Sequence, residues 1–299
     1  MAGFDWNDLK SFLAVARTGR LTAAAARVGV DHATHSRRIA ALEQGLKAKL
    51  FDRSPAGYTL TEAGERLLGT ADEMERLALR AQEAVGGSAA SVEGIVRIGA
   101  PEGFGSYFLA PRIAALKARH AGLIVQLVAA PAVFSLARRD ADVAISPSRP
   151  PAGRLNVSRL TDYDLALYAA PSYLAKGPEI GGLADLSRHR FVSYIGDLLH
   201  FPELDFLQQV APQGEVSVES SNLVAQLRAT LAGAGLCILP AFLAAEEPGL
   251  VRVLPEVILT RSLWLIVHQD LADLARIKAV VRFLKETVER ERALFRLNG

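Results

Sequence analysis

The chain has 299 residues, half of them hydrophobic, and a formal net charge of +2. That length accommodates about two domains with sizeable cores, and no apolar run approaches the roughly 18 residues of a membrane span. The single cysteine, Cys237, excludes an intrachain disulfide and a multi-cysteine metal site, and residues 1–6 lack the basic-then-apolar layout of a signal peptide, so a cytoplasmic protein with no membrane partner is expected.

The small net charge conceals an asymmetry. Residues 1–60 carry nine Lys/Arg against five Asp/Glu, whereas residues 61–90 carry three against six. A basic patch is the electrostatic footprint of nucleic-acid binding.

Leu9, Phe12, Leu13 and Ala16 recur at helical spacing and predict a first helix over residues 6–17, ended by Gly19. A second helix follows, with Thr22 as its expected N-cap and alanines 23–26 as a body of small side chains that permits a close helix crossing. Gly29 ends it, and Asp31 caps a third helix. Ile39, Leu42 and Leu46 share the inward face of this helix, while His32, Thr34, Arg37 and Arg38 lie away from it. Helix, short glycine-containing turn, helix is the DNA-binding helix-turn-helix, whose second helix presents its first turn to base edges in the major groove. Arginine donates to guanine through two N–H groups, or only clamps phosphate, and both roles stay open for Arg37 and Arg38. The competing reading is a three-helix protein-binding module. Residues 50–61 then place two short apolar strands around a Pro/Gly turn, a hairpin wing with Arg53 at its edge for phosphate. The candidate DNA-binding residues are Thr22, Asp31, His32, Ala33, Thr34, Ser36, Arg37, Arg38 and Arg53.

Residues 4–64 resemble the DNA-binding domain of LysR-type transcriptional regulators. The resemblance rests on residues 9–16 (LKSFLAVA), 21–25 (LTAAA), 30–39 (VDHATHSRRI), Leu42-Glu43, Leu50-Phe51-Asp52-Arg53 and 60–64 (LTEAG). Much of that family opens the reading helix with Ser-Gln-Pro-Ala, where this chain has Asp31-His32-Ala33-Thr34. His35 falls on the buried face, where the family carries an aliphatic residue, and reads either as a packed neutral histidine or as a DNA contact or pH-sensitive element.

Thr61 is expected to cap a helix running to about Val85. Leu67, Ala71, Met74, Ala78, Ala81 and Val85 form a heptad seam, with Glu62, Glu65, Arg66, Asp72, Glu73, Glu75 and Arg76 mostly off it. The seam packs either on its own domain or against a second subunit; the resemblance implies the latter, a homodimer or homotetramer that reads an inverted-repeat operator in double-stranded DNA. Residues 86–91 (GGSAAS) read as a flexible hinge.

From residue 95 onward strands alternate with helices: strands near 95–100, 124–128, 142–145, 165–169, 191–195, 215–219, 236–239 and 263–267, and helices near 109–119, 223–231 and 272–292. This alternation predicts an α/β domain with parallel strands. The expected architecture is therefore α/β overall: a mainly α winged helix-turn-helix over 4–61, a linker helix and hinge over 62–89, and an effector-binding domain over 93–299. The resemblance implies two lobes like those of periplasmic binding proteins, lobe I about 93–163 and 268–299, lobe II about 164–267. Ligands of open α/β sheets sit beyond strand C-termini, at helix N-termini. The candidate effector-binding residues are accordingly Glu102, Gly103, Ser106, Ser146, Ser220, Ser221 and Asn222, a set suited to a small carboxylate; Glu102 would oppose an anion there unless turned away. Ser and Asn before a helix also serve as ordinary caps.

The chain offers no catalytic set and no expected cofactor or metal. The histidines at 32, 35, 120, 189, 200 and 268 show no metal-binding spacing, and neither a nucleophile elbow nor a phosphate loop occurs. Cys237, in an apolar strand, reads as a buried structural thiol. A DNA-binding regulator with a small-molecule effector is expected. The alternatives are a vestigial or protein-binding cleft, or an enzyme tethered to DNA.

Overall fold

The computed structural model describes residues 5–55, 57–85, 92–130, 141–151, 153–199, 201 and 204–297. Of the positions singled out from sequence, Phe4, Ala56, the expected hinge at 86–91 and His200 lie outside the described residues, and of Arg76 and Val85 only the backbone is described. The chain divides into two compact units, Met1–Ala90 and Ser91–Gly299.

In the first unit, helix α1 (Trp6–Thr18) is capped by Asp5 and closed by Gly19 in the left-handed region at φ 67°. Helix α2 (Leu21–Val28) begins at Arg20 without a side-chain cap and ends at Gly29, φ 71°. Thr22, the expected cap, sits instead inside the first turn and is exposed, because the chain leaves the left-handed Gly19 already extended at Arg20. Of the four alanines, Ala24 is buried and Ala25 half-buried, while Ala23 and Ala26 face solvent. Helix α3 (His32–Leu46) buries His35, Ile39 and Leu42; Leu46, expected inward, is exposed at the helix end. The wing is the antiparallel hairpin β1 (Phe51–Ser54) and β2 (Gly57–Leu60). It docks on the α1–α2 turn, where Tyr58 N donates to Gly19 O at 2.8 Å. A Cβ on Gly57, φ 137°, would lie 2.4 Å from that same carbonyl, so only glycine fits there.

Helix α4 (Glu62–Val85) starts at Thr61, whose hydroxyl accepts from Gly64 N at 3.1 Å. Its seam divides. Ala71 is buried in the core of the head, with Leu67 and Met74 packed against it beside Leu9, Phe12 and Leu50. Further along, Ala81 and the off-seam Leu77 are exposed. The first half of the expected intersubunit seam is therefore an intrachain contact. Arg17, at the end of α1, donates to Asp72 at 2.5 Å and Glu75 at 2.8 Å, fastening α4 to the head.

The second unit is built on a six-stranded sheet in the order β4-β3-β5-β10-β6-β9, with a two-stranded sheet β7-β8. Its elements are β3 (Gly94–Ala100), a π-helical turn (Phe104–Leu109) continuing into α5 (Ala110–Arg119), β4 (Leu123–Ala129), β5 (Val143–Ser146), β6 (Leu155–Ala169), α6 (Pro171–Leu174), β7 (Arg190–Ser193), α7 (Leu207–Val210), β8 (Glu215–Glu219), α8 (Leu223–Leu231), β9 (Cys237–Pro240), α9 (Ala241–Ala244), β10 (Val251–His268) and α10 (Ala275–Arg290). The sheet is mixed rather than parallel: β3 is parallel to β4 and β5, whereas β5-β10, β10-β6 and β6-β9 are antiparallel.

Two long strands, β6 and β10, carry the chain between the lobes. In β10, Trp264–Val267 pairs with β5 of the first lobe, while Val251–Val253 and Ile258–Arg261 pair with the half of β6 that also holds β9. The segment Trp264–Val267, inside the span 164–267 expected for the second lobe, is thus hydrogen-bonded to β5 on one side and to β6 on the other. Fully buried Phe104 and Phe295 join Phe108 and Phe242 in an aromatic cluster, with Phe108 and Phe295 centroids 4.8 Å apart; each such ring contributes about 1.5–3 kcal/mol through burial. No helix among the described residues is long and apolar enough to cross a membrane.

Candidate functional site

Two features stand apart from the cores: the first turn of α3 and a cavity in the second unit.

The α3 turn is organised by a chain of hydrogen bonds. Asp31 caps the helix, accepting from Thr34 N at 2.8 Å and from the Thr34 hydroxyl at 2.7 Å. The Thr34 hydroxyl, and then its amide, hold the Asp31 carboxyl below the usual carboxylate range. Arg37 donates to Thr34 Oγ1 at 3.1 Å, so its guanidinium is positioned over the first turn while still exposed. His32 and Ala33 are exposed, and Ser36 and Arg38 half-buried. Ile39 and Leu42 anchor the opposite face. The predicted residues of α3 therefore share one solvent-facing end of one helix. Thr22 belongs to α2.

Arg53 is on the wing, lying over the Tyr58 ring at 5.5 Å and pairing with Glu43 at 3.3 Å. Glu43 is a positioning residue that the sequence reading did not single out as one. Its carboxylate also accepts from Leu50 N at 2.8 Å and Phe51 N at 3.3 Å, tying the start of the wing to α3. Half of the Arg53 side chain is exposed, so its charge is available at the surface though shared with Glu43.

The cavity, of about 250 Å³, lies at the C-terminal ends of β3 and β5 and against the crossing strands. Glu102, Gly103, Ser146 and Ser221 of the predicted set line it. Ser106 and Ser220 do not line it: Ser106 is exposed on the π-helical turn, and Ser220 Oγ accepts from Asn222 N at 3.0 Å. Asn222 is the N-cap of α8, accepting from Ala225 N at 2.7 Å, so for Ser220 and Asn222 the capping role prevails. Gly103 packs against α8 so closely that a Cβ would come within 2.6 Å of Leu223 Cδ2.

The walls missed by sequence reasoning are apolar. Phe104, Tyr163, Leu165, Tyr194, Phe206, Phe242 and Leu263 contribute to them, drawn from six separate stretches of chain, so no local pattern announces them. Burial pushes the Tyr194 phenol above its usual range, with the neighbouring Tyr163 adding to the shift; it is a neutral hydroxyl. Glu102 accepts from Leu223 N at 3.0 Å and from the Asn222 amide. The N-terminus of α8, expected to receive a ligand carboxylate, is thus occupied by a carboxylate of the chain itself.

Cys237 is buried and its thiol is pushed up to about 12 by burial, which removes its nucleophilic thiolate at neutral pH. Among the described residues no group of three His, Cys, Asp or Glu side chains is placed to hold a metal ion.

Residues 6–65 match the family described as bacterial regulatory helix-turn-helix protein, lysR family, and residues 89–289 match the LysR substrate binding domain. The transcriptional activator TtdR of Escherichia coli strain 536 is 32% identical over 288 residues, covering 93% of this chain and 91% of TtdR. Among solved structures, a full-length OxyR variant from Pseudomonas aeruginosa superposes with a TM-score of 0.72 at 20% identity, covering 98% of this chain and 100% of that one. Full-length LysG of Corynebacterium glutamicum, solved with bound effector Arg, does so with a TM-score of 0.62 at 18% identity, covering 96% and 98%.

Proposed function

The chain belongs to the LysR family of transcriptional regulators, and on that premise we propose that it reads DNA as an oligomer through the first turn of α3 and is regulated by a small molecule in the cavity of its second unit. It is a transcriptional regulator with a winged helix-turn-helix and an effector-binding domain. The observation that carries the reading assignment is the Asp31–Thr34–Arg37 chain, which holds an exposed guanidinium over the outer end of a helix whose inner face is locked in the core. In this reading His32, Ala33, Thr34, Ser36 and Arg37 meet base edges. Asp31 positions them, and Thr22, Arg38 and Arg53 contact the phosphate backbone. The domains are the head at 4–61, the linker helix and hinge at 62–89, and the effector domain at 93–299, with lobe I at about 93–163 and 268–299 and lobe II at about 164–267.

Two heads held at a fixed spacing would read an inverted repeat. The exposed Leu77 and Ala81 on the second half of α4 supply the surface for a partner helix. A ligand that favours one lobe arrangement shifts the population of that arrangement and with it the spacing of the heads. LysG, which has the same fold, carries an effector in its structure, which supports this reading of the cavity.

The test starts from a random duplex pool. The full chain is expected to enrich an inverted repeat, and Arg37→Ala to weaken binding to it about tenfold, the effect of one lost base contact, while binding to a scrambled duplex falls less. Failure to enrich any sequence would overturn the DNA reading. An unchanged gel-shift titration for Arg37→Ala would remove Arg37 from the reading set.

A further inference from the structure

We infer that the cavity selects an uncharged, apolar molecule of one or two rings, and that Glu102 turns anions away from it. The inference rests on the reading of this cavity as the effector site and specifies its ligand.

A helix N-terminus attracts an anion because its first N–H groups are unpaired and its dipole is positive there. At α8 that attraction is already satisfied. Leu223 N donates to Glu102 Oε2 at 3.0 Å, Asn222 Nδ2 donates to Oε1, and Asn222 Oδ1 accepts from Ala225 N at 2.7 Å. The Asn222 side-chain amide and the N–H groups of Leu223 and Ala225 are thus spent on side chains of the protein. An anion entering the cavity would also face the Glu102 charge in surroundings that poorly replace its hydration.

The remaining walls offer little compensation. Among the described lining residues the charged ones are Glu102 and Arg149. Arg149 is exposed and lies over the Trp264 ring at 5.4 Å, so its charge is in water at the edge of the cavity. The interior surface comes from Phe104, Tyr163, Tyr194, Phe206, Phe242 and Leu263, which reward apolar area and ring faces. A volume of about 250 Å³ matches one or two fused rings. The Tyr194 hydroxyl, kept protonated by burial, supplies a hydrogen-bonding group that suits a neutral ligand.

The experiment compares two fluorescent probes that share one two-ring skeleton: naphthalene, which is neutral, and naphthalene-1-sulfonate, which is anionic. With the full-length chain, the neutral probe is expected to saturate at one per chain and to bind at least about tenfold more tightly than the sulfonate. Glu102→Gln is expected to raise sulfonate affinity about fivefold or more while changing that of the neutral probe less than about twofold. Ser146→Trp, which fills the cavity, should abolish neutral-probe binding; Ser146→Phe serves the same purpose if the larger variant fails to fold. Equal affinities for the two probes, an unchanged ratio in Glu102→Gln, or full binding to a folded cavity-filled variant would each overturn the inference. The effector reading fails differently. Neutral-probe binding that obeys every expectation but leaves DNA affinity unmoved refutes regulation through the cavity and leaves its ligand preference intact. A sulfonate that binds tightly and does alter DNA affinity has the reverse consequence.

Discussion

A chain carrying both Asp72→Ala and Glu75→Ala is expected to lose about 3 kcal/mol of stability in its N-terminal unit, the cost of stripping the partners from a buried charge. Arg17 is 9% exposed, and its guanidinium meets Asp72 at 2.5 Å and Glu75 at 2.8 Å. Burial works against the charged form of Arg17, but Glu75 and then Asp72 outweigh it, and the pKa is raised. The guanidinium therefore stays charged after its acceptors are removed, and its Nε, already buried without a partner, offers no relief. Arg17→Met should cost less than the double substitution, because it removes the charge together with its need for acceptors and leaves an apolar stem beside the α1–α4 contact. The ordering matters more than either number, since a pair that acted only by surface attraction would give similar small losses for both variants. Urea melts that follow the first unit check it, and a double variant within about 0.5 kcal/mol of the parent would sink the account. The consequence reaches function, because this pair fixes the direction in which α4 leaves the head and hence where a partner head would stand.

That ion pair was not legible in the sequence, and the reason is instructive. The acidic residues of α4 fall off the heptad seam, and a helical pattern assigns off-seam charges to solvent. Periodicity likewise shows which face of α4 is apolar, yet nothing in it says what covers that face. Leu67, Ala71 and Met74 turn out to complete the core of the head. The ends of α1 and α2 and the start of α3 were readable because Gly19, Gly29 and Asp31 impose them locally, through left-handed backbone and a side-chain cap. Thr22 misled because a good capping residue need not cap where the preceding glycine has already set the chain extended.

In the second unit the strand cores were visible but their lengths were not. Asp162 and Asp164 interrupt the apolar run of β6, yet Asp164 is buried inside it, accepting from the Thr260 hydroxyl at 2.7 Å and from Leu297 N at 2.9 Å. A polar residue satisfied by partners far away in sequence looks like a strand end to any local reading. Glu102 is the same problem at the candidate site. Its warning as a carboxylate in the cleft could be read from its position, whereas its role as the anion of α8, more than a hundred residues later, required the fold.

His35 supplies the second large effect. Its side chain is fully buried, and neither ring nitrogen has a well-formed hydrogen-bond partner. His35→Leu keeps the side chain similar in bulk and removes both orphaned groups, so the head should gain about 2–3 kcal/mol at neutral pH. The pH dependence follows from the direction of the shift. Burial, followed by the nearby charge of Arg38, lowers the His35 pKa, while the Ala24 carbonyl and Asp31 oppose the change more weakly. The folded state consequently binds fewer protons than the unfolded chain, whose histidine titrates near ~6.5. The parent head should lose stability as pH falls through that value, and regain it as pH rises. In His35→Leu this contribution is absent, so the advantage of the variant should widen between about pH 7 and pH 5.5. Thermal melts of the two chains across that range decide the matter. An advantage that shrinks on acidification reverses the sign and refutes the buried-neutral account. DNA affinity provides an independent arm: a packed histidine predicts equal binding by parent and variant at pH 8, where both heads are folded. A selective loss of binding there, without a change in stability, would move His35 from the core to the DNA contact. The inner face of α3 would then have to turn outward on DNA, which its packing beside Ile39 and Leu42 opposes at the expense of the whole head.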